Sequence, residues 1–307
     1  MNPRPALVGT CFCFIVISVE AKLGSAQEVV GKRQFSDQLV ISEPFVEDEL
    51  AFPSILHITR ATHIGAELKK RLTADFEVSL TGRLTELSPD GQPTVTGFDN
   101  LEVGLKYQFL RDPSREAVAS IALNWEVGGT GRTAAGADPF DTFSPAILGG
   151  KGFGDLPDTV AALRPLALAG RLGADIPTRA SSRTPSTGGG EVRHPNSLAW
   201  GAVVGYSLPY LQAHVKDLGL PSPLNGMVPL VELDLHTALD RGQSGLTTGT
   251  TNLGAVWIGN RVQIGVETVV PINERSGKNV GIRAFVRFDL DRLLGERAAR
   301  PLFGQEN

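Results

Sequence analysis

The chain has 307 residues, 41% hydrophobic and 20% charged, with a formal net charge of −4. That is enough apolar material for a substantial core and too little charge for a disordered chain. The surplus charge is acidic and the Lys and Arg residues are scattered, so nucleic acid is not an expected partner. Beyond the N-terminus no run approaches the roughly 18 apolar residues of a spanning helix.

Residues 1–26 read as a cleaved signal peptide. Arg4 supplies the positive start, Ala6 to Val19 an apolar stretch, and Gly24-Ser25-Ala26 the small residues of a cleavage site. Cys11 and Cys13 both lie inside this segment, so the mature chain is expected to have no disulfide and to rely on its fold alone. Residues 27–50 follow as a periplasmic lead-in. Its acidic run, Glu43-Pro44-Phe45-Val46-Glu47-Asp48-Glu49-Leu50, is expected to be solvated, with Phe45 and Val46 packing beneath the next domain, rather than to bind a cation.

From residue 51 to 290 the chain alternates with a period of two. Phe76, Val78, Leu80 and Leu84 interleave with Glu77, Ser79, Thr81 and Arg83; Leu101, Val103, Leu105 and Tyr107 with Glu102, Gly104 and Lys106. The last segment is the cleanest: Val280, Ile282, Ala284, Val286 and Phe288 oppose Arg283, Arg287 and Asp289. Alternation puts the two sets on opposite faces of a strand, whereas a helix would spread the charges around its circumference. The spacing predicts strands at 54–60, 64–71, 74–86, 99–110, 115–127, 143–153, 160–176, 197–211, 226–239, 247–258, 261–271 and 279–290.

Long alternating strands suit either a soluble sandwich, with apolar faces meeting inside, or an outer-membrane barrel, with apolar faces meeting lipid. Strand length, export and frequent strand glycines favour the second. The expected fold is therefore all-β: a transmembrane antiparallel β-barrel of about twelve strands, preceded by a signal peptide and followed by a polar tail at 291–307. With the N-terminus on the periplasmic side, long loops are expected after odd strands and tight turns after even ones. Residues 212–225 break that rule by their length, and suggest either a strand extension plus a turn or a count off by one.

The segments Gly97-Phe98-Asp99-Asn100-Leu101-Glu102-Val103-Gly104-Leu105-Lys106-Tyr107-Gln108-Phe109 and Val270-Pro271-Ile272-Asn273 to Val280-Gly281 resemble bacterial outer-membrane "transporter" barrels. These are grouped with the MetA-like protein of phenol meta-cleavage pathways. The resemblance spans about residues 50–290 and rests on barrel grammar, so it implies fold and outer-membrane location more than substrate. It implies passage of small solutes, aromatic or otherwise apolar ones among them. The chain departs from many barrels in that residues 291–307 follow the last strand, in place of a terminal aromatic.

On a barrel the polar strand faces line the interior. The candidate lumen residues are Glu77, Arg83, Glu102, Lys106, Glu126, Arg171, Asp175, Glu232, Asp234, Glu267, Arg283 and Arg287, which would set the field that filters solutes. Trp125, Trp200, Trp257, Tyr206 and Phe288 fall on apolar faces and are candidates for interface girdles.

Catalytic and metal motifs are missing from the sequence. His57, His63, His194, His214 and His236 are scattered, without H-E-x-x-H or C-x-x-C spacing, and no G-x-S-x-G elbow occurs. Gly128-Gly129-Thr130-Gly131 and Gly150-Lys151-Gly152 read as loop glycines rather than phosphate cradles. The expected function is a channel or transporter for small solutes in contact with outer-membrane lipid, not an enzyme, with no cofactor and no nucleic acid. The alternatives are a closed structural or interaction barrel and a soluble periplasmic β-rich binding protein.

Overall fold

The computed structural model describes residues 29–36, 38–89, 91–183, 191–260, 262–295, 298 and 300–303. The proposed signal peptide, with Cys11 and Cys13, lies outside the described residues. Twelve long strands carry the fold: β1 (Glu49–Ile58), β2 (Ala61–Arg71), β3 (Phe76–Leu87), β4 (Leu101–Asp112), β5 (Ala117–Val127) and β6 (Thr142–Gly152) in the first half. The second half adds β7 (Leu166–Pro177), β8 (Ser197–Tyr206), β9 (Met227–Ala238), β10 (Thr247–Ile258), β11 (Val262–Pro271) and β12 (Gly281–Asp289).

Each strand pairs antiparallel with its neighbours in sequence, and β12 returns to β1 through Gly281↔Ile58 to Asp289↔Glu49. The sheet is a closed barrel. Closure satisfies every strand edge, which is what a sheet needs to survive in hydrocarbon.

The sequence periodicity becomes an inside and an outside. Outward stand Ile282 and Ile147, each 58% exposed, together with Leu253, Leu172, Leu80, Val231 and Leu105. Inward stand Glu77, Lys106, Gln108, Ser120, Glu232 and Glu267, all buried. An exposed apolar belt around a charged interior is the reverse of a water-soluble protein. Outer aromatics gather near both ends of the wall. Trp125 stacks on Phe143 with ring centroids 6.0 Å apart toward one end, and Tyr107 and Phe109 stand exposed toward the other.

The first strand begins at Glu49, so the acidic run feeds straight into it. The eighth strand stops at Tyr206 rather than 211. There Ser207 caps a short helix, α1 (Leu208–His214), by accepting a hydrogen bond from the Tyr210 amide, with Pro209 in its first turn. The long stretch at 212–225 is therefore a helix and loop, and the strand count stands.

Connections after odd strands, at the loop end, include three long excursions: 88–100 with its added strand Val95–Phe98, 128–141, and 178–196 with the hairpin Ser181–Arg183/Glu191–Arg193. At the opposite, turn end, 72–75 and 113–116 are tight. Two turn-end connections are not: 153–165, with a 3-10 helix at Asp158–Leu163, and 207–226. Helix α2 (Leu290–Leu294) follows β12, and the tail returns across the turn end, the Leu302 and Phe303 amides donating to the Arg71 and Leu72 carbonyls.

Candidate functional site

The lead-in is not solvated. Residues 29–36 and 38–48 lie inside the barrel at the turn end and fill that half of the lumen; they are called the plug below. Val30, Phe35, Ile41, Phe45 and Val46 are buried, and so are Glu43, Glu47 and Asp48, which the sequence had suggested would meet water. The physical reason is the wall. Cations on β2 and β12 neutralise these carboxylates in place of solvent, and a buried charge requires such a partner.

A two-residue hairpin at Gly31-Lys32, closing Val29–Val30 onto Arg33–Gln34, starts the plug. Gly31 sits at φ +67 against the Pro113 carbonyl, a place where a Cβ would stand 2.4 Å from that oxygen. Arg33 is fully buried. Its Nε donates to Glu116 Oε2 at 2.9 Å, its Nη1 to the Pro165 carbonyl at 3.0 Å, and its Nη2 to the Arg164 carbonyl. The guanidinium lies 4.3 Å from the centre of the Tyr210 ring, whose hydroxyl donates to Glu116 Oε1. The two turn-end connections that break the short-turn rule thus both grip Arg33, together with Glu116 of the tight 113–116 turn.

Further along, the plug has no ladder of its own, and wall side chains satisfy its backbone. The amides of Leu39, Val40 and Ile41 all donate to the Glu232 carboxylate, at 2.7, 2.9 and 3.2 Å. Glu232 is fully buried midway along β9. Lys106 donates to the Phe45 carbonyl at 2.6 Å, Ser120 to the Pro44 carbonyl, and Arg283 to the Leu39 carbonyl at 3.2 Å. Glu77 accepts from the Glu47 amide at 2.6 Å.

Glu43 is the charged centre of the plug. It takes Lys69 Nζ at 2.7 Å, Arg287 Nη1, and the Gln38 amide at 3.0 Å. Lys69 also reaches Glu47 and Glu49, each at 3.1 Å. Against the cost of burial, Arg287, Lys69 and Lys106 together hold the Glu43 carboxyl far below the usual carboxylate range. Burial instead pushes Glu47 up to about 8, with Lys69 pulling the other way and Glu49 and Glu43 adding to the rise.

Two apolar clusters complete the contact. Val30, Phe35 and Phe45 pack on Val118; Leu39 packs on Ala169, Val203, Leu230, Val256 and Phe285, interior positions of five strands. Where the plug comes closest the wall is glycine. A Cβ at Gly150 would lie 3.2 Å from Pro44 Cγ, one at Gly152 2.2 Å from Arg33 Nε, and one at Gly201 2.5 Å from Ile41 Cδ1. Gly150-Lys151-Gly152 is therefore β6 wall and not a loop.

The loop-end half of the lumen carries the remaining charges. Arg171 meets Asp234 at 2.7 Å; His236 bonds Asp175 at 2.8 Å; and Ser144 donates to the other oxygen of Asp175 at 2.8 Å. Arg283 pairs with Glu267 at 3.2 Å, and Arg83 with Asp99 at 3.2 Å on the exposed side. Glu126 accepts from the Asn100 amide at 2.8 Å and stands opposite Glu102 in the β4–β5 register. A cavity of about 370 Å³ opens over the plug, lined by its residues 38–43 and by Glu67, Arg83, Glu102, Arg171 and Asp175.

Of the twelve candidates named from the sequence, Glu77, Lys106, Glu232, Arg283 and Arg287 contact the plug directly. Arg83, Glu102, Glu126, Arg171, Asp175, Asp234 and Glu267 lie above it or beside it. Sequence reasoning missed Lys69, Glu116 and Arg33. Lys69 had a signal, since Ile64 and Leu68 alternate with Glu67 and Lys69. Glu116 lies in the segment predicted at 115–127, but the structure places it in the turn before β5; Arg33, in the lead-in, belongs to no periodic segment, and only the fold brings the two together across 83 positions of sequence.

Among solved structures the chain is similar to a KdgM porin, at 12% identity over 78% of this chain and 98% of that one, with TM-score 0.48. It is similar to a NanC porin at 11% identity over 78% and 98%, TM-score 0.47, and to the beta domain of the Bordetella autotransporter Brka at 16% over 78% and 97%, TM-score 0.41. No family model matches the chain, and no curated protein does. The barrel assignment stands on the strand pairing itself.

Proposed function

We propose that this chain is an outer-membrane barrel that passes small solutes through its lumen. One observation carries the reading: a closed twelve-stranded sheet presents its apolar side chains outward and its charged ones inward. Strands of 9 to 12 residues suit a tilted crossing of the hydrocarbon layer. Lipid would cover the Leu, Ile and Val belt, with the long loops on the outer side and the plug on the periplasmic side. The twelve lumen residues would set the field along the path, by charge and pore radius and without a reaction or a cofactor. The finer reading, that the solutes include aromatic or otherwise apolar compounds, rests on the resemblance of the Gly97–Phe109 and Val270–Gly281 segments to the MetA-like transporter barrels.

A second reading has its own support. The plug fills half of the lumen, as it would in a barrel closed for structural or binding purposes. Two measurements separate the readings. Detergent-dependent solubility with heat-modifiable migration is expected for either barrel. Conductance in planar bilayers is expected only for the channel, and a protein extracted by salt alone would end both.

A further inference from the structure

The plug has the chemistry of a removable part. Beside its two apolar clusters the plug meets the wall through many hydrogen bonds and ion pairs, which water can replace once the segment moves. The junction is also incompletely saturated: Gln38 Oε1 and Glu47 Oε1 are buried without a hydrogen-bond partner. Each regains hydration on withdrawal. The cavity on the loop side already brings solvent and solute to plug residues 38–43.

The charges at this level indicate what the wall would bind next. The wall contributes Lys69, Lys106 and Arg287 against Glu49 and Glu77, with Lys106–Glu77 paired at 3.1 Å and Lys69–Glu49 at 3.1 Å. Arg287 also stands 3.7 Å from Glu49, and onto these wall cations the plug sets two carboxylates, Glu43 between Lys69 and Arg287 and Glu47 on Lys69. A carboxylate between an ammonium and a guanidinium is a strong charge-assisted arrangement.

Building on the channel reading above, we propose that the plug is a displaceable gate, and that Glu43 occupies, as a tethered stand-in, a Lys69–Arg287 site for the carboxylate of a small anionic solute. Arrival of such a solute competes with Glu43 for its two cations and favours the open barrel. The solute's binding energy shifts the gate only as far as its preference for the unplugged state allows.

The test uses the full chain in planar bilayers. In a background lacking Cys11 and Cys13, Pro44→Cys with Gly150→Cys places a thiol pair across the plug–wall contact, where a Cβ at position 150 would lie 3.2 Å from the Pro44 Cγ. Current is expected to vanish on oxidation and return on reduction. Millimolar benzoate is expected to raise the open probability of the unmodified chain, and benzylamine, its cationic counterpart, to leave it unchanged. Glu43→Gln is expected to open the channel on the order of tenfold and to blunt the benzoate response, since it removes a charge-assisted bond. Equal current with the disulfide closed and open would overturn the gate while leaving the channel reading intact. Equal response to benzoate and benzylamine would overturn the carboxylate site. Silence of every form, reduced pair and Glu43→Gln included, would sink the channel reading itself, and the gate with it.

Discussion

Glu232→Gln tests the attachment of the plug most directly. The wild-type carboxylate accepts three consecutive amides, from Leu39 through one oxygen and from Val40 and Ile41 through the other. Glutamine is nearly isosteric but keeps one acceptor, and its NH2 group then faces donors. At least one and at most two of the three bonds survive, and the survivors lose their charge. With the oxygen turned to Val40 and Ile41, one bond is lost at about 1.5 kcal/mol and the two that remain weaken by roughly 0.5–1 kcal/mol each with the loss of charge, in all about 3 kcal/mol, or roughly a hundredfold in the local opening equilibrium. Hydrogen exchange of the residue 39–41 amides in detergent micelles reads this quantity, because exchange follows local opening. Protection there should fall by about two orders of magnitude, while amides paired in β10 and β11 keep theirs. A fall of less than about threefold, well under 1 kcal/mol, would refute the idea that this carboxylate anchors the plug.

Three other outcomes follow from the same geometry. Ile282→Arg, on the lipid face at 58% exposure, should cost about 2–4 kcal/mol in a folding titration, whereas Arg83→Gln, whose partner Asp99 is solvent-accessible, should change stability by less than about 1 kcal/mol. Arg283→Gln should not be benign, although it lies in the lumen: it strips the fully buried Glu267 of its cation, and breaking a buried pair in this way costs about 3–5 kcal/mol, visible as a lowered urea midpoint. The plug should loosen on both sides of mildly acidic pH. Glu43 is depressed, so its contribution is present above the unfolded value of 4.5 and is lost as pH falls below it. Glu47 is raised, so its contribution is present below 4.5 and is lost progressively as pH rises toward its folded value of about 8. Amide exchange across residues 38–48 should therefore speed up toward strong acid and again toward pH 8. Lys69, Lys106, Arg287, Glu49 and Glu77 are the charged groups facing this pair. A flat profile would show that the two carboxylates do not hold the segment.

The period-two alternation fixed much of this molecule before any folding argument. A strand has only two faces, so Val280, Ile282, Ala284 and Val286 had to share one and Arg283 and Arg287 the other; the same logic located all twelve wall strands, but with ends off by as much as six residues, the strand expected from 160 beginning at Leu166 after a 3-10 helix. The ends failed where local chemistry intervened. Ser207 with Pro209 diverts the chain into a helix, a cap signal legible in the sequence but outweighed there by the apolar run before it. Which face meets lipid was not decided by periodicity, because a sandwich and a barrel share the same pattern. Strand closure, β12 onto β1, decides it. The destination of the lead-in lay further out of reach. Its acidic run has the composition of a solvated segment, and nothing local says that Lys69, Lys106 and Arg287, drawn from three distant strands, will converge on it. Burial of charge is a property of the assembled surroundings, since the neutralising partners exist only once the wall has closed. So do the glycines of β6 and β8, which read as punctuation or curvature until a second segment of chain lies against them.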